Sequence, residues 1–191
     1  MGAVFPLNSR ITVHPSLILW LSILCYLQPR LSIGFLLAAA IHELGHLIAL
    51  FLMNQPPTHL SLHGMGASMD VPALGYGQAV LAYAAGPAFS LTLALYGRLF
   101  PVTSLMSLCL GLFNLLPICG LDGSGILENA LSLRLSPNTA QRITQIVSVV
   151  FCMLILPFAV FLGKRYRLGL WLPALAGLLL IKSIYLIVKT R

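Results

Sequence analysis

The residues best suited to chemistry lie in one short run inside an apolar stretch, His42-Glu43-Leu44-Gly45-His46. His42 and His46 are four residues apart, so in a helix both imidazoles project from one face at a spacing that fits one zinc ion. Glu43 is rotated by about 100° from His42 and can reach metal-bound water without being a ligand. A glutamate in the middle of an apolar span costs about 2.5 kcal/mol or more, which favours a functional role over a structural one.

A catalytic zinc site needs a third protein ligand and one open position. The other acids and imidazoles of the chain are Asp70, Asp122, Glu128, His14, His59 and His63. Asp122 is the best candidate, because Pro117, Gly120 and Gly123 interrupt the helix around it and let the backbone turn the carboxylate inward. Alternatively, Asp122 caps the helix that restarts at Gly123, a role compatible with ligation. Glu128 is interpreted as a polar group near the end of its span or as a partner of a ligand.

The composition describes the surroundings of these residues. Of 191 residues, 59% are hydrophobic and 8% are charged, against about 25% charged in soluble domains. A soluble domain and a disordered chain are therefore excluded. The net charge of +7 reflects the scarcity of acids, and the densest basic run, Lys164, Arg165 and Arg167, is too short for a nucleic-acid surface. The four cysteines are interpreted as buried small hydrophobes, with Cys119 packing near Asp122 rather than binding metal.

Apolar segments long enough to cross a bilayer recur along the whole chain. The predicted spans are about 11–27, 31–53, 79–99, 102–135 (broken near 117–122), 143–163 and 168–188. The first is interpreted as a retained span, since it is longer than the core of a signal peptide. We therefore predict an all-α polytopic membrane protein, with residues 1–191 forming a single domain of about six transmembrane helices. The Lys and Arg count does not orient it, because the two sides carry equal numbers.

Residues 58–71 have a different pattern. Apolar and polar residues alternate on both sides of Gly64-Met65-Gly66, which predicts a β-hairpin around a glycine-containing turn. An irregular loop is the alternative. Because the segment lies between two spans, we expect a short membrane-associated hairpin after the second helix.

Two motifs together resemble those of the site-2 protease family of intramembrane zinc metalloproteases (peptidase M50). They are His42-Glu43-Leu44-Gly45-His46 and Asn114-Leu115-Leu116-Pro117-Ile118-Cys119-Gly120-Leu121-Asp122-Gly123. The run Ala85-Gly86-Pro87-Ala88-Phe89-Ser90 is also similar to a glycine-proline segment of that family. The chain departs from the family where prolines often stand at Cys119 and Gly120, a glycine at Ser124 and an asparagine at Ser90. The layout is most similar to the sporulation-factor branch, the SpoIVFB-like proteins, in a minimal form.

The resemblance implies an intramembrane endopeptidase that holds one zinc ion on His42, His46 and Asp122, with Glu43 as general base. It implies that peptide bonds are cleaved in or near transmembrane segments of membrane-bound proteins, and that the hairpin holds the substrate as an added strand. It also implies a multi-pass protein of the bacterial cytoplasmic membrane with both termini in the cytosol. The expected partners are the bilayer, a single-span or membrane-associated substrate and a regulatory membrane subunit, with no nucleic acid.

Candidate substrate-binding residues are Asn114, His63, Gly64 and Gly66. Asn114 has an equally good alternative role in bonding helices to each other. Two alternatives to the overall function stay open at this point. One is a membrane protease of the prenyl-protein type with a glutamate as third ligand, and the other is a metal-binding protein or transporter without proteolytic activity.

Overall fold

The computed structural model describes residues 10–27, 29–63, 66–165 and 171–189. Within these ranges the chain forms three strands and seven helices. In order they are β1 (Arg10–Val13), α1 (Pro15–Leu27), α2 (Pro29–Leu52), β2 (His59–His63), β3 (Gly66–Asp70), α3 (Tyr76–Ala94), α4 (Pro101–Asn114), α5 (Asp122–Ser132), α6 (Pro137–Arg165) and α7 (Trp171–Lys189). The chain divides into two compact units, Met1–Asn114 and Leu115–Arg191. The predicted mostly helical fold is confirmed.

Prolines mark the beginnings of several helices. Pro15, Pro29, Pro101 and Pro137 are the first residues of α1, α2, α4 and α6. Proline suits this position because its missing N–H would have no partner within the helix and its φ is already helical. The sequence therefore separates its apolar segments by residues that end one helix and begin the next.

The predicted hairpin is confirmed by β2 and β3, which pair antiparallel from His59 opposite Asp70 to His63 opposite Gly66. Its turn residues Gly64 and Met65 lie outside the described residues. An unpredicted third strand, β1, pairs parallel with β2, so that the strand order is β1-β2-β3. The predicted start of the first span at Ile11 is therefore wrong, because the helix begins only at Pro15.

The structure divides the fourth predicted segment into two helices. The predicted stretch 102–135 is two helices, α4 and α5, separated by the non-helical residues 115–121. The predicted third segment extends beyond the observed helix, because α3 ends at Ala94. The fifth is longer than predicted, because α6 extends from Pro137 to Arg165.

Two of the described helical segments are long and apolar enough to cross a bilayer. They are Leu31–Leu52, with 22 residues, and Pro137–Arg165, with 29 residues. A 22-residue helix is about 33 Å long, which matches a hydrocarbon core of about 30 Å. Pro101–Asn114 and Ala176–Tyr185 are apolar but shorter. Cys119 and Cys152 are buried as predicted, whereas Cys25 and Cys109 are exposed, so the interpretation of all four cysteines as buried is wrong for these two.

In the first unit, α2, α3 and α4 pack against one another. The packing is close where a glycine meets a neighbouring helix. A Cβ at Gly45 of α2 would collide with the carbonyl oxygen of Ala85 and with Phe89 of α3. Small residues that let two backbones approach are typical of helix pairs in membranes, and this contact brings α3 against the helix that carries the HExxH motif.

In the second unit, α6 packs against both α5 and α7. The loop before α5 is tied to these helices by buried polar groups. The backbone N–H of Cys119 donates to Ser148 Oγ at 2.8 Å, and Ser148 and Ser183 share a hydrogen bond of 2.9 Å between their hydroxyls. The non-helical segment that leads to Asp122 is therefore anchored to α6 and α7.

Candidate metal centre

The motif histidines lie one turn apart on α2 with their rings facing each other. The ring centroids are 5.0 Å apart at an interplanar angle of 77°, and the two Nε2 atoms are 3.3 Å apart. Two nitrogens bound at about 2.05 Å to one tetrahedral zinc ion also lie about 3.3 Å apart. The pair therefore presents two nitrogens at the separation that zinc requires.

The other nitrogen of each ring is bonded to α3, and these bonds orient the imidazoles. His46 Nδ1 lies 2.8 Å from the carbonyl oxygen of Ala82. A carbonyl only accepts, so Nδ1 carries the proton and Nε2 keeps its lone pair for a metal. His42 Nδ1 lies 2.9 Å from Ser90 Oγ, with both residues buried. A metal on Nε2 of His42 requires the same tautomer, with Nδ1–H donating to the serine hydroxyl.

Gly86 explains how α3 can come so close to the motif. A Cβ at this position would collide with the imidazole of His46, at Nε2, Cε1 and Cδ2. Gly86 and the following Pro87 are both buried. The glycine-proline segment of α3 is thus the surface against which His46 lies.

Asp122 is the third member of the group. One ligand atom from each of His42, His46 and Asp122 lies within 4.8 Å of the others. In the described part of the chain, this is the one group of three or more His, Cys, Asp and Glu residues that could hold a metal ion. Two imidazole nitrogens and a carboxylate oxygen are a donor set that suits catalytic zinc.

The sequence around Asp122 creates the break that exposes its carboxylate. Gly120 has φ of +92°, a conformation that glycine adopts without strain. A Cβ at Gly123 would collide with the carbonyls of Leu115 and Leu116, so glycine lets α5 fold back against the preceding segment. The N-cap of α5 is Leu121, and Asp122 stands in the first turn. The alternative that Asp122 is the capping residue is therefore wrong, although its charge still suits the positive end of the helix.

Glu43 follows the first ligand on α2 and is half-buried. Its carboxylate makes no hydrogen bond or ion pair with any residue that the structure describes. A carboxylate that no neighbour holds is available to accept a proton from water. Its role as general base stays a prediction.

The other ligand candidates are not part of the metal group. Glu128 lies in the same helix as Asp122, about two turns further along α5. Asp70 is 80% exposed and lies 3.9 Å from His59 across the β2–β3 pair. His63 lies against His14, with ring centroids 5.3 Å apart.

The substrate-binding candidates stay predictions. Asn114 Nδ2 donates to the carbonyl of Leu110 in its own helix at 3.1 Å, rather than to another helix. Gly66 begins β3, and Gly64 lies outside the described residues. The sequence reasoning missed Ser90, Ala82 and Gly86 as partners of the histidines, although a polar residue such as Ser90 inside an apolar helix was a signal.

The site thus defines a class: an HExxH metal centre completed by an aspartate from a separate helix. Residues 96–156 match the model of Peptidase family M50, a stretch that includes Asp122 but not the HExxH motif. No curated protein matches the chain significantly. The fold is similar to that of the solved "Site-2 Protease from Methanocaldococcus jannaschii", with a TM-score of 0.66 at 20% identity, covering 95% of this chain and 92% of that one. The chain is thus similar to Peptidase family M50 over the segment that carries Asp122, and it brings together a His-His-Asp group that could hold a metal ion.

Proposed function

We propose that the chain is an intramembrane zinc endopeptidase that cleaves peptide bonds in or near transmembrane segments of membrane-bound proteins. The observation that carries this proposal is the group formed by His42, His46 and Asp122, with its histidines on an apolar helix long enough to cross a bilayer. A hydrolytic centre on a helix that crosses the bilayer is positioned to act on substrates that are themselves in the membrane.

The residues of the metal centre and Glu43 have separate roles in hydrolysis. His42, His46 and Asp122 would hold a zinc ion, which would supply Lewis-acid chemistry toward water and the peptide carbonyl. Glu43 takes the proton from the attacking water and passes it to the nitrogen of the leaving amine. The carbonyl of Ala82 holds His46 in the tautomer whose Nε2 carries a lone pair, and Ser90 Oγ would accept from Nδ1–H of His42 in the same tautomer.

A transmembrane substrate must unwind before cleavage, because each of its carbonyls is engaged in a helical hydrogen bond. We propose that the unwound segment adds to the sheet at β3. In the described sheet β2 lies between β1 and β3, so β3 is one of the two edge strands. Strand addition supplies backbone hydrogen bonds without requiring a particular sequence. His63, Gly64 and Gly66 would then contact the substrate, as would Asn114, whose Oδ1 has no partner among the described residues.

The same proposal covers the membrane topology, the location and the partners of the protein. Residues 1–191 form one multi-pass membrane domain of about six spans, similar to the SpoIVFB-like branch. It lies in the bacterial cytoplasmic membrane with both termini in the cytosol. Its partners are the bilayer, a single-span or membrane-associated substrate and a regulatory membrane subunit.

The test is co-expression of the full chain with candidate single-span proteins, comparing wild type with Glu43→Gln. We expect cleavage products that require Glu43, while zinc content is equal in both proteins. Wild-type protein that binds zinc but yields no Glu43-dependent product across a membrane proteome would favour a metal-binding protein or transporter instead.

A further inference from the structure

An ionisable residue outside the metal centre stands in the last helix. Lys182 lies in α7 within the apolar run Leu178-Leu179-Leu180-Ile181-Lys182. Its side chain is exposed. It makes no hydrogen bond or ion pair with any residue that the structure describes. A lysine inside an apolar span is unfavourable unless it has a partner or performs a function.

The position of the ammonium group is defined by Gly120. A Cβ at Gly120 would collide with Lys182 Nζ and Cε, so the lysine side chain occupies the space that any other residue at position 120 would fill. Gly120 precedes the metal ligand Asp122 by two residues, a distance of at most about 7 Å along the chain. The ammonium therefore lies beside the backbone that leads directly to the metal ligand.

The backbone of α7 beside Lys182 is anchored to the same loop by hydrogen bonds. Ser183, the residue after Lys182, is fully buried and hydrogen-bonds Ser148. Ser148 in turn accepts from the backbone N–H of Cys119, the residue before Gly120. The same chain of hydrogen bonds thus sets the register of α7 against the loop and holds Lys182 next to it.

A full positive charge in a medium of low dielectric constant is best compensated by an opposite charge. The second unit contains two acidic residues, Asp122 and Glu128, and neither is within ion-pair distance of Lys182. Among the described residues, no carboxylate therefore compensates the charge of Lys182.

We propose that Lys182 is a specificity-determining residue that binds an acidic side chain of the substrate segment. This inference rests on the proposed protease function. An extended strand advances about 3.3 Å per residue. Because the ammonium group lies against Gly120, at most about 7 Å along the chain from Asp122, the acidic residue is expected within about three residues of the bond that is cleaved. Substrates would then share an Asp or Glu near the cleavage site.

The test uses full-length Glu43→Gln protein in phosphatidylcholine liposomes with synthetic transmembrane peptides that carry one Glu, moved stepwise along the sequence. A carbodiimide couples a lysine amine to a glutamate carboxyl with loss of water, which the reagent takes up. We expect coupling to Lys182, located by mass spectrometry, for two or three neighbouring Glu positions. It should be absent with the Gln peptide and with Lys182→Met. Lys164, exposed at the end of α6, is the matched control. Its coupling should not depend on the position of the Glu in the peptide.

No coupling at Lys182 for any Glu position, or equal coupling at every position, would overturn the proposal. Absence of coupling combined with protection of Lys182 by phosphatidylglycerol would assign the cation to a lipid headgroup instead. Coupling requires no catalysis, so a positive result with a wild-type protein that cleaves nothing would contradict the protease function alone.

If the peptides are cleaved, Lys182→Met should reduce cleavage of the coupled Glu peptide about tenfold relative to its Gln counterpart, at unchanged zinc content. Lys182→Glu should recover cleavage on a peptide with Lys at that position.

Discussion

The bond between His42 and Ser90 gives a sharp prediction about zinc affinity. His42 Nδ1 lies 2.9 Å from Ser90 Oγ, and the residues are 4% and 0% exposed. Ser90→Ala removes the acceptor and leaves a space smaller than a water molecule, so water cannot replace the hydroxyl. In the metal-bound form Nδ1 must carry its proton, which then has no acceptor. In the metal-free form the ring can change tautomer, so the cost falls on the bound state.

The size of the loss in zinc affinity follows from the free-energy cost of a buried donor without an acceptor, about 1–3 kcal/mol. At about 1.4 kcal/mol per tenfold, this weakens zinc binding by roughly 5- to 140-fold. It agrees with the loss of about 10- to 100-fold when a residue bonded to a metal-binding histidine is removed. The assay is competition for zinc between the purified protein in detergent and a chelating indicator at fixed pH.

Ser107→Ala is the matched control for this measurement. Ser107 is also 0% exposed and lies on α4 of the same unit, but its hydroxyl has no hydrogen-bond partner among the described residues. Its removal should leave zinc affinity unchanged and stability unchanged or slightly increased. Unaltered zinc affinity in Ser90→Ala, or an equal loss in both variants, would refute the argument that Ser90 orients His42.

Further predictions concern the glycine beneath the site and the loop before Asp122. Gly86→Ala should reduce zinc affinity by roughly 5- to 140-fold, the equivalent of about 1–3 kcal/mol for overpacking, because the new methyl meets the ring of His46. Gly77→Ala in the same helix meets nothing within 4 Å and should bind zinc normally in the same competition assay. Ser148→Ala should lower the free energy of unfolding by about 1–3 kcal/mol, since the buried N–H of Cys119 loses its acceptor. Denaturant titration in detergent measures this, and an unchanged midpoint would show that the loop is held by other contacts.

Local signals in the sequence predicted the parts of the site that depend on local geometry. The two histidines of the motif follow from helical periodicity, and the break before Asp122 follows from Pro117, Gly120 and Gly123. The hairpin was equally accessible, because alternation around glycines is visible within fourteen residues, 58–71.

Contacts between distant residues were not accessible in this way. β1 is a strand only because Arg10–Val13 pairs with residues 59–62, and only His14 separates it from the apolar helix α1. The bond from His42 to Ser90 joins residues 48 positions apart, and no local pattern indicates which polar residue of α3 faces which ring. Leu121 as the N-cap of α5 was also not predicted. The neighbouring Asp122 is the stronger capping signal in the sequence, because aspartate is a preferred N-cap residue and leucine is not.

The most direct test of the account is the zinc content of two α5 variants, Asp122→Asn and Glu128→Gln, each purified as the full chain and measured by elemental analysis. Both changes replace a carboxylate by an amide in the same helix, so they differ in position alone. The account predicts one zinc ion per chain for wild type and for Glu128→Gln, and loss of zinc for Asp122→Asn. Zinc retained in Asp122→Asn and lost in Glu128→Gln would contradict the His42, His46 and Asp122 site.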